Sequence, residues 1–407
     1  MLPLDGIAVV RSLLFTLSFL SLSLNTLAQN NTTQALSEYS LYAPHRAACF
    51  PLPEPLVRRA TSLGSEEKYY VRERKRKASV ALADWLENVD DSFWLNKAPT
   101  MALATSGGGY RSMLIGAGVV QALDERDSDE RTSGLYQSLT YHSGLSGGAW
   151  LLSSIAGNDF DTISTISEEI WEGALVKNSI YPTNIESAPE GPVIKRDMLA
   201  KAKAGFSPVT TDVWGRFLSY QLLRGEDGGA ARRWSDVRFS PAFLGFEAPF
   251  PIITALGMEN INGAICDAAD NATQYEFTPF EFGSWDAGVQ AFTPTEYLGT
   301  PIDNGVVPYG GYCVRNFDSI GYVIGTSSSK FNEECGTSLL SIISSGLEPL
   351  VKAAQLNTSS PRRDIFAPYP NPFKSFPSSP KVNNAKELYL VDGGQGTSIN
   401  ASGSTEY

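Results

Sequence analysis

Histidine is nearly missing from this chain: His45 and His142 are the only two in 407 residues. A hydrolytic triad in the order serine, acid, histidine needs a histidine downstream of its serine, and after residue 142 there is none. Cysteine is scarce too. Cys49, Cys266, Cys313 and Cys335 form no C-x-x-C, which argues against zinc and redox roles. Positive charge is in deficit, with 32 Lys and Arg against 44 Asp and Glu, a net charge of −12 and a pI near 4.8. Nucleic acid is therefore excluded as a partner of the chain as a whole. Long apolar runs are absent except at residues 13–24, and that run is too short to read as a membrane span. No apolar tail suited to a lipid anchor closes the sequence.

That single apolar run, preceded by Arg11 and followed by Thr26-Leu27-Ala28, reads as a signal peptide over residues 1–28. Five N-x-S/T sequons, at Asn30, Asn31, Asn271, Asn357 and Asn400, agree with secretion and glycosylation. In that compartment the four cysteines are expected to form disulfides. Cys313 with Cys335 is the local pairing, leaving Cys49 for Cys266. The apolar share of 42%, with 11% aromatic, is ample for a packed core.

Residues 138–155, SLTYHSGLSGGAWLLSSI, organise the chain. A β-prone Leu139-Thr140-Tyr141-His142 runs into Gly144-Leu145-Ser146-Gly147-Gly148, and an apolar helical stretch follows. Strand, glycine turn and helix around G-x-S-x-G form the context of a nucleophile elbow. Upstream, residues 99–123 repeat the plan: a short strand, Gly107-Gly108-Gly109, then an apolar helix. Amides at such a helix start can hold a phosphate or an oxyanion. The third glycine of a dinucleotide fingerprint would fall at Ser112, and no Walker lysine follows. An oxyanion hole beside Ser146 is the better account.

Elsewhere the sequence predicts a polar, extended lead-in over 29–61 and a helix over 65–89. That helix carries Arg72, Arg74, Lys75, Arg76 and Lys77, read as a solvated face rather than a membrane contact. An acidic helix is expected over 167–176, an aromatic-rich helix over 211–223, a flexible excursion over 225–233 and a buried strand over 250–256. The aromatics at 275, 277, 280, 282, 285, 292 and 297 read as core packing. A helix over 339–354, a proline-rich loop over 361–380 and a final strand over 387–391 complete the chain. That strand ends in Asp392-Gly393-Gly394, which suggests a catalytic acid carried on a loop. With no histidine available, a carboxylate must take the proton from Ser146 directly, and Asp392 is the candidate.

Ser106-Gly107-Gly108-Gly109-Tyr110-Arg111, Gly144-Leu145-Ser146-Gly147-Gly148 and Asp392-Gly393, in that order, resemble the catalytic domain of fungal phospholipase B, or lysophospholipase. They are similar also to the cytosolic phospholipase A2 module and, more distantly, to patatins. Trp214-Gly215-Arg216-Phe217, Pro249-Phe250-Pro251-Ile252-Ile253, residues 275–283 and Pro370-Asn371-Pro372-Phe373 extend the likeness over residues 42–394. The resemblance implies an α/β fold with a mixed central sheet flanked by helices. It also implies a Ser146–Asp392 dyad acting on acyl esters of phospholipids and lysophospholipids, with no metal or other cofactor. Gly108 and Gly109 match its oxyanion donors, and Arg111 matches an arginine for the substrate phosphate, a role guanidinium geometry suits.

The likeness stops after Asp392-Gly393-Gly394. Residues 395–407 are a Gly/Ser/Thr-rich, low-complexity tail, so the domain reads as C-terminally incomplete, and the last strand is expected to present an uncovered edge. A catalytically silent secreted glycoprotein that only binds lipid or partners is the competing expectation.

Overall fold

The computed structural model describes residues 40–49, 55–90, 98–177, 188–258, 268–269, 271–334 and 365–395. Contacts divide the chain between Leu41 and Tyr42, and all that follows concerns the unit beginning at Tyr42. The signal segment, the helix expected over 339–354, Cys266, Cys335 and the sequons at Asn30, Asn31, Asn357 and Asn400 lie outside the described residues. Asn271 is described and sits exposed in a turn.

Among the described residues, β1 (His45–Ala47) pairs with β9 (Cys313–Arg315), and nine further strands make one mixed sheet. Its axis is β5 (Phe250–Met258), whose FPIITAL stretch is buried throughout. A strand covered on both faces reads as such a continuous apolar run. Along one edge of β5 lie β6 (Gln274–Phe277), β7 (Glu281–Ser284), β8 (Ala291–Pro294) and the two-residue β2 (Arg58–Arg59), all antiparallel.

The other edge of β5 is shared by two strands. β4 (Tyr141–Gly144) runs parallel to residues 250–253, and β11 (Glu387–Asp392) runs antiparallel to residues 255–258. They therefore approach each other end to end beside Thr254. β3 (Ala102–Thr105) flanks β4, and β10 (Ala367–Pro370) flanks β11.

Helix α1 (Ser65–Val89) covers one face of the sheet, where Tyr70 stacks on Phe243 at 3.9 Å and leans on Phe250 at 5.5 Å. After it come α2 (Gly109–Leu123), α3 (Gly147–Gly157), α4 (Gly191–Lys203), α5 (Thr210–Leu222) and α6 (Ile320–Ser327). Every residue of α3 is buried, as befits a helix without a polar side. Helices α5 and α6 pack backbone to backbone: a Cβ on Gly215 would sit 2.1 Å from the carbonyl oxygen of Gly321. The open mixed sheet with helices on both faces is the class the sequence implies.

Several expectations give way. Arg74 is not on the solvated face of α1. It is buried and donates to the carbonyls of Gln137, Leu139, Phe246 and Glu247 at 2.6–3.2 Å. One guanidinium thus ties α1 to the segments entering β4 and β5. The excursion at 225–233 is anchored, since Gly229 and Ala230 are buried and Arg233 bridges to Ser319. The proline-rich loop contains β10, the end strand of the sheet, where proline is tolerated because one edge needs no donor. The polar lead-in contributes β1, β2 and a buried Tyr42, whose hydroxyl donates to Asp212 at 2.5 Å. β11 is not left as the edge of the sheet: β10 pairs with its residues 387–390 and β5 with its residues 389–392. Cys313 bonds to Cys49 rather than to its sequence neighbour Cys335, because β1 and β9 pair with Ala47 opposite Cys313.

Candidate active site

Ser146 stands between the end of β4 and the start of α3 with φ 51° and ψ −120°, a conformation costing a non-glycine residue on the order of 1–3 kcal/mol. Backbone contacts hold it there. Its N–H donates to both the carbonyl and the Oγ of Ser327, at 3.2 and 3.0 Å, and its carbonyl accepts from Trp150 at 3.1 Å. The glycines of the motif are required by proximity. A Cβ on Gly144 would lie 2.6 Å from the carbonyl oxygen of Gly148, and one on Gly148 only 2.1 Å from that of Thr105.

The second glycine segment is pressed against the first. A Cβ on Gly107 would meet the Cβ of Ser146 at 2.9 Å and its Oγ at 3.4 Å, and one on Gly147 would meet the Gly109 carbonyl oxygen at 2.3 Å. Gly108 and Gly109 have φ of 136° and 62°, values that L side chains rarely adopt. Their amides have no acceptor among the described residues and head the apolar helix α2. Tyr110 fastens this turn, its hydroxyl donating to Gln221 and its ring lying edge-on to Trp150 at 5.2 Å. Arg111, one residue on, is exposed and has no ion pair or hydrogen bond among the described residues.

Asp392, at the end of β11, is 1% exposed. Its N–H donates to the Ser329 carbonyl at 2.9 Å, and one of its carboxylate oxygens accepts from Gly394 at 2.7 Å. The N–H of Gly393 donates to the Ser327 carbonyl at 3.1 Å, so that one oxygen receives the amides of both Ser146 and Gly393. Ser327 in turn donates through Oγ to the Thr254 carbonyl at 2.7 Å, within the gap where β4 and β11 meet. Gly393 crosses that same carbonyl so closely that a Cβ would lie 2.8 Å from it. The elbow, the glycine loop and the Asp392 turn thus converge on one seam. Sequence reasoning missed Ser327. Its only signal was four consecutive hydroxyl residues, 326–329, directly after the apolar start of α6.

Neither histidine joins this arrangement. His142 is buried, with Nε2 3.2 Å from Thr105 Oγ1 and Nδ1 3.3 Å from the Tyr136 hydroxyl. Burial pushes its pKa down to about 3, so the ring is neutral. His45 is exposed on β1, opposite Arg315.

With this geometry in hand, comparison with known proteins identifies the family. The profile of the lysophospholipase catalytic domain matches residues 101–400, and the chain belongs to that family. Lysophospholipase 1 of Aspergillus fumigatus is 36% identical over 386 residues, covering 87% of this chain and 59% of the relative. Lysophospholipase 2 of Candida albicans is 39% identical over 377 residues, covering 88% and 60%. The chain therefore spans about three fifths of the length of the curated relatives it matches. Among solved structures, human GIVD cytosolic phospholipase A2 shares the fold, with a TM-score of 0.63 at 20% identity over 84% of this chain and 48% of that one.

Proposed function

We propose that this chain is a secreted lysophospholipase or phospholipase B that hydrolyses acyl esters of glycerophospholipids through Ser146 and Asp392. The observation that carries the reading is the seam itself, where the elbow and the Asp392 turn hang on one carbonyl with the glycine loop against Ser146. The named activities of the relatives support the substrate class.

In this reading the Asp392 carboxylate takes the hydroxyl proton as Ser146 Oγ attacks the ester carbonyl. The amides of Gly108 and Gly109 stabilise the tetrahedral oxyanion, helped by the positive end of α2. The proton passes to the departing alkoxide, leaving an acyl-serine. Water then attacks the acyl carbon, and Asp392 takes its proton, returning it to Ser146 as the fatty acid leaves. Arg111, exposed at the rim, engages the phosphate of the substrate. The signal-like N-terminus, the Cys49–Cys313 disulfide and the exposed sequon at Asn271 support secretion.

The test is release of fatty acid from lysophosphatidylcholine by the purified chain, with stoichiometric labelling of Ser146 by an alkyl fluorophosphonate. Label on a different residue, or no fatty acid released, overturns the proposal.

A further inference from the structure

Helix α2 is apolar on two opposite sides. Met113, Ala117 and Val120 are buried, at the spacing of one helical face. Arg111, Leu114, Ile115, Gly118 and Val119 repeat the same spacing on the other side and face outward. There Leu114 is 48% exposed, Ile115 69% and Val119 45%. A surface helix ordinarily carries charged residues on such a face. Over its 15 residues α2 has one charge, Arg111, and no carboxylate, in a chain of net charge −12. Single exposed apolar residues such as Val80 and Leu199 occur elsewhere and need no explanation. The stripe on α2 differs in being continuous and topped by a cation that has no partner among the described residues.

We propose that this face of α2 is a docking surface for phospholipid aggregates, seating the glycine loop and Ser146 at headgroup level. The inference rests on the esterase reading above, which requires a substrate that gathers in bilayers and micelles. The charge pattern selects this occupant. A second copy of the chain would bring another acidic protein against the stripe, whereas a lipid surface offers phosphates to Arg111 and acyl chains to Leu114, Ile115 and Val119. Position agrees: α2 starts at the amides that abut Ser146, and Val119 lies about 15 Å further along the axis at ~1.5 Å per residue. A helix lying flat with this stripe embedded would hold the mouth of the site against the headgroups.

The experiment uses the full chain and vesicles of phosphatidylcholine containing lysophosphatidylcholine. In a Ser146→Ala background, which prevents turnover, adding Ile115→Asp is expected to lower vesicle partitioning at least about tenfold. In the active background the same substitution should slow hydrolysis of lysophosphatidylcholine micelles by a similar factor. Turnover of a short water-soluble ester should stay at the wild-type rate. Val119→Gln should act in the same direction more weakly, and Val80→Asp on α1 should change nothing. Unchanged partitioning of Ile115→Asp overturns the proposal. So does an equal loss on the soluble ester in both stripe variants, or a dimer in sedimentation that Ile115→Asp dissolves, which would make the occupant a second copy. If the wild type releases no fatty acid from any lipid, the esterase reading falls, while partitioning of the Ser146→Ala pair still decides the docking face.

Discussion

Two regions on either side of β5 are built on opposite principles. On the hairpin side, β6 to β8 are held by aromatic area. Phe282 stacks on Tyr275 at 5.4 Å and meets Phe277 at 4.7 Å, and it also reaches Tyr369 of β10 at 5.9 Å and Phe373 at 6.2 Å. At the seam where β4 meets β11, close approach of main chain replaces the stacking of rings. Gly144, Gly147, Gly148 and Gly393 bring backbones to distances at which a single methyl group would collide, Gly107 lies as close to the side chains of Leu145 and Ser146, and the Ser327 hydroxyl with the carbonyls of Ser327 and Ser329 supplies further contacts. The lesson is one of tolerance. Ring packing can relax by tenths of an ångström and only lose stability, whereas the seam fixes the relative position of Ser146 and Asp392 through main-chain contact. Activity should therefore be lost at the seam with little effect on folding, and stability lost in the hairpin block with little effect on chemistry.

The largest expected effect tests the seam directly. Ser146→Ala and Asp392→Asn should each lower kcat for lysophosphatidylcholine by on the order of 10⁴ or more, and the double variant should be little worse than either, because paired groups lose their effect together. Melting temperatures should move by only a few degrees. A Ser146→Ala protein that keeps a tenth of wild-type turnover, free of contaminating esterase, would remove Ser146 from the mechanism.

Phe282→Ala is the reciprocal experiment. Removing the ring at the centre of four others leaves a cavity and should cost about 3–5 kcal/mol of unfolding free energy. Per folded molecule, kcat should remain within about twofold of wild type, because the ring partners of Phe282, namely Tyr275, Phe277, Tyr369 and Phe373, all lie outside the glycine seam. If turnover per folded molecule collapses instead, the two regions are not separable.

A finer cut falls on Ser327. In Ser327→Ala its carbonyl still receives the amides of Ser146 and Gly393, but Oγ no longer accepts from Ser146 or holds the Thr254 carbonyl. A small displacement of a reacting group is enough to slow catalysis about 10- to 100-fold. We expect kcat to fall by that factor with KM nearly constant, and restoration of most activity in Ser327→Thr. A loss confined to KM would place Ser327 with substrate binding instead of positioning.

How much of this was legible in the sequence depends on the range of the interaction involved. The strand, glycine turn and helix around Ser146 are local, and the helices observed at Gly109–Leu123 and Ser65–Val89 follow from apolar spacing within one segment. Asp392 could be singled out because histidine was missing and an acid stood at a strand end before two glycines. Ser327 could not. Its role comes from a carbonyl shared by residues far apart in sequence, and no periodicity encodes that. Arg74 misled for a related reason: within a run of five basic residues, only the carbonyls at 137, 139, 246 and 247 distinguish it from its neighbours. The Cys49–Cys313 pairing was hidden likewise, since the strand pairing that creates it spans most of the chain.

The smallest effect concerns a carboxyl group buried where α1 crosses the hairpin block. Glu67, in the first turn of α1, faces Glu276 of β6, Glu281 of β7, Arg58 of β2 and Tyr141 of β4. Burial first, then the charges of Glu276 and Glu281, push its pKa from 4.5 up to about 8. An acid whose pKa is raised on folding contributes stability that is fully present below its unfolded value and is lost as pH climbs through its folded value. Wild-type stability should thus decline between pH 4.5 and about 8, at no more than about 1.4 kcal/mol per pH unit from this one group. His142 works against this at the acid end. Its pKa is lowered by burial from 6.5 to about 3, so its contribution is complete above pH 6.5 and is lost as pH falls. Of the two, only Glu67 acts between pH 6.5 and 8, and that is the window to measure. Unfolding by denaturant at both ends of it should show the decline in the wild type and a flatter response in Glu67→Gln, whose amide cannot ionise, with kcat per folded molecule unchanged. An identical decline in both proteins would mean that the buried carboxyl of the hairpin block does not govern alkaline stability.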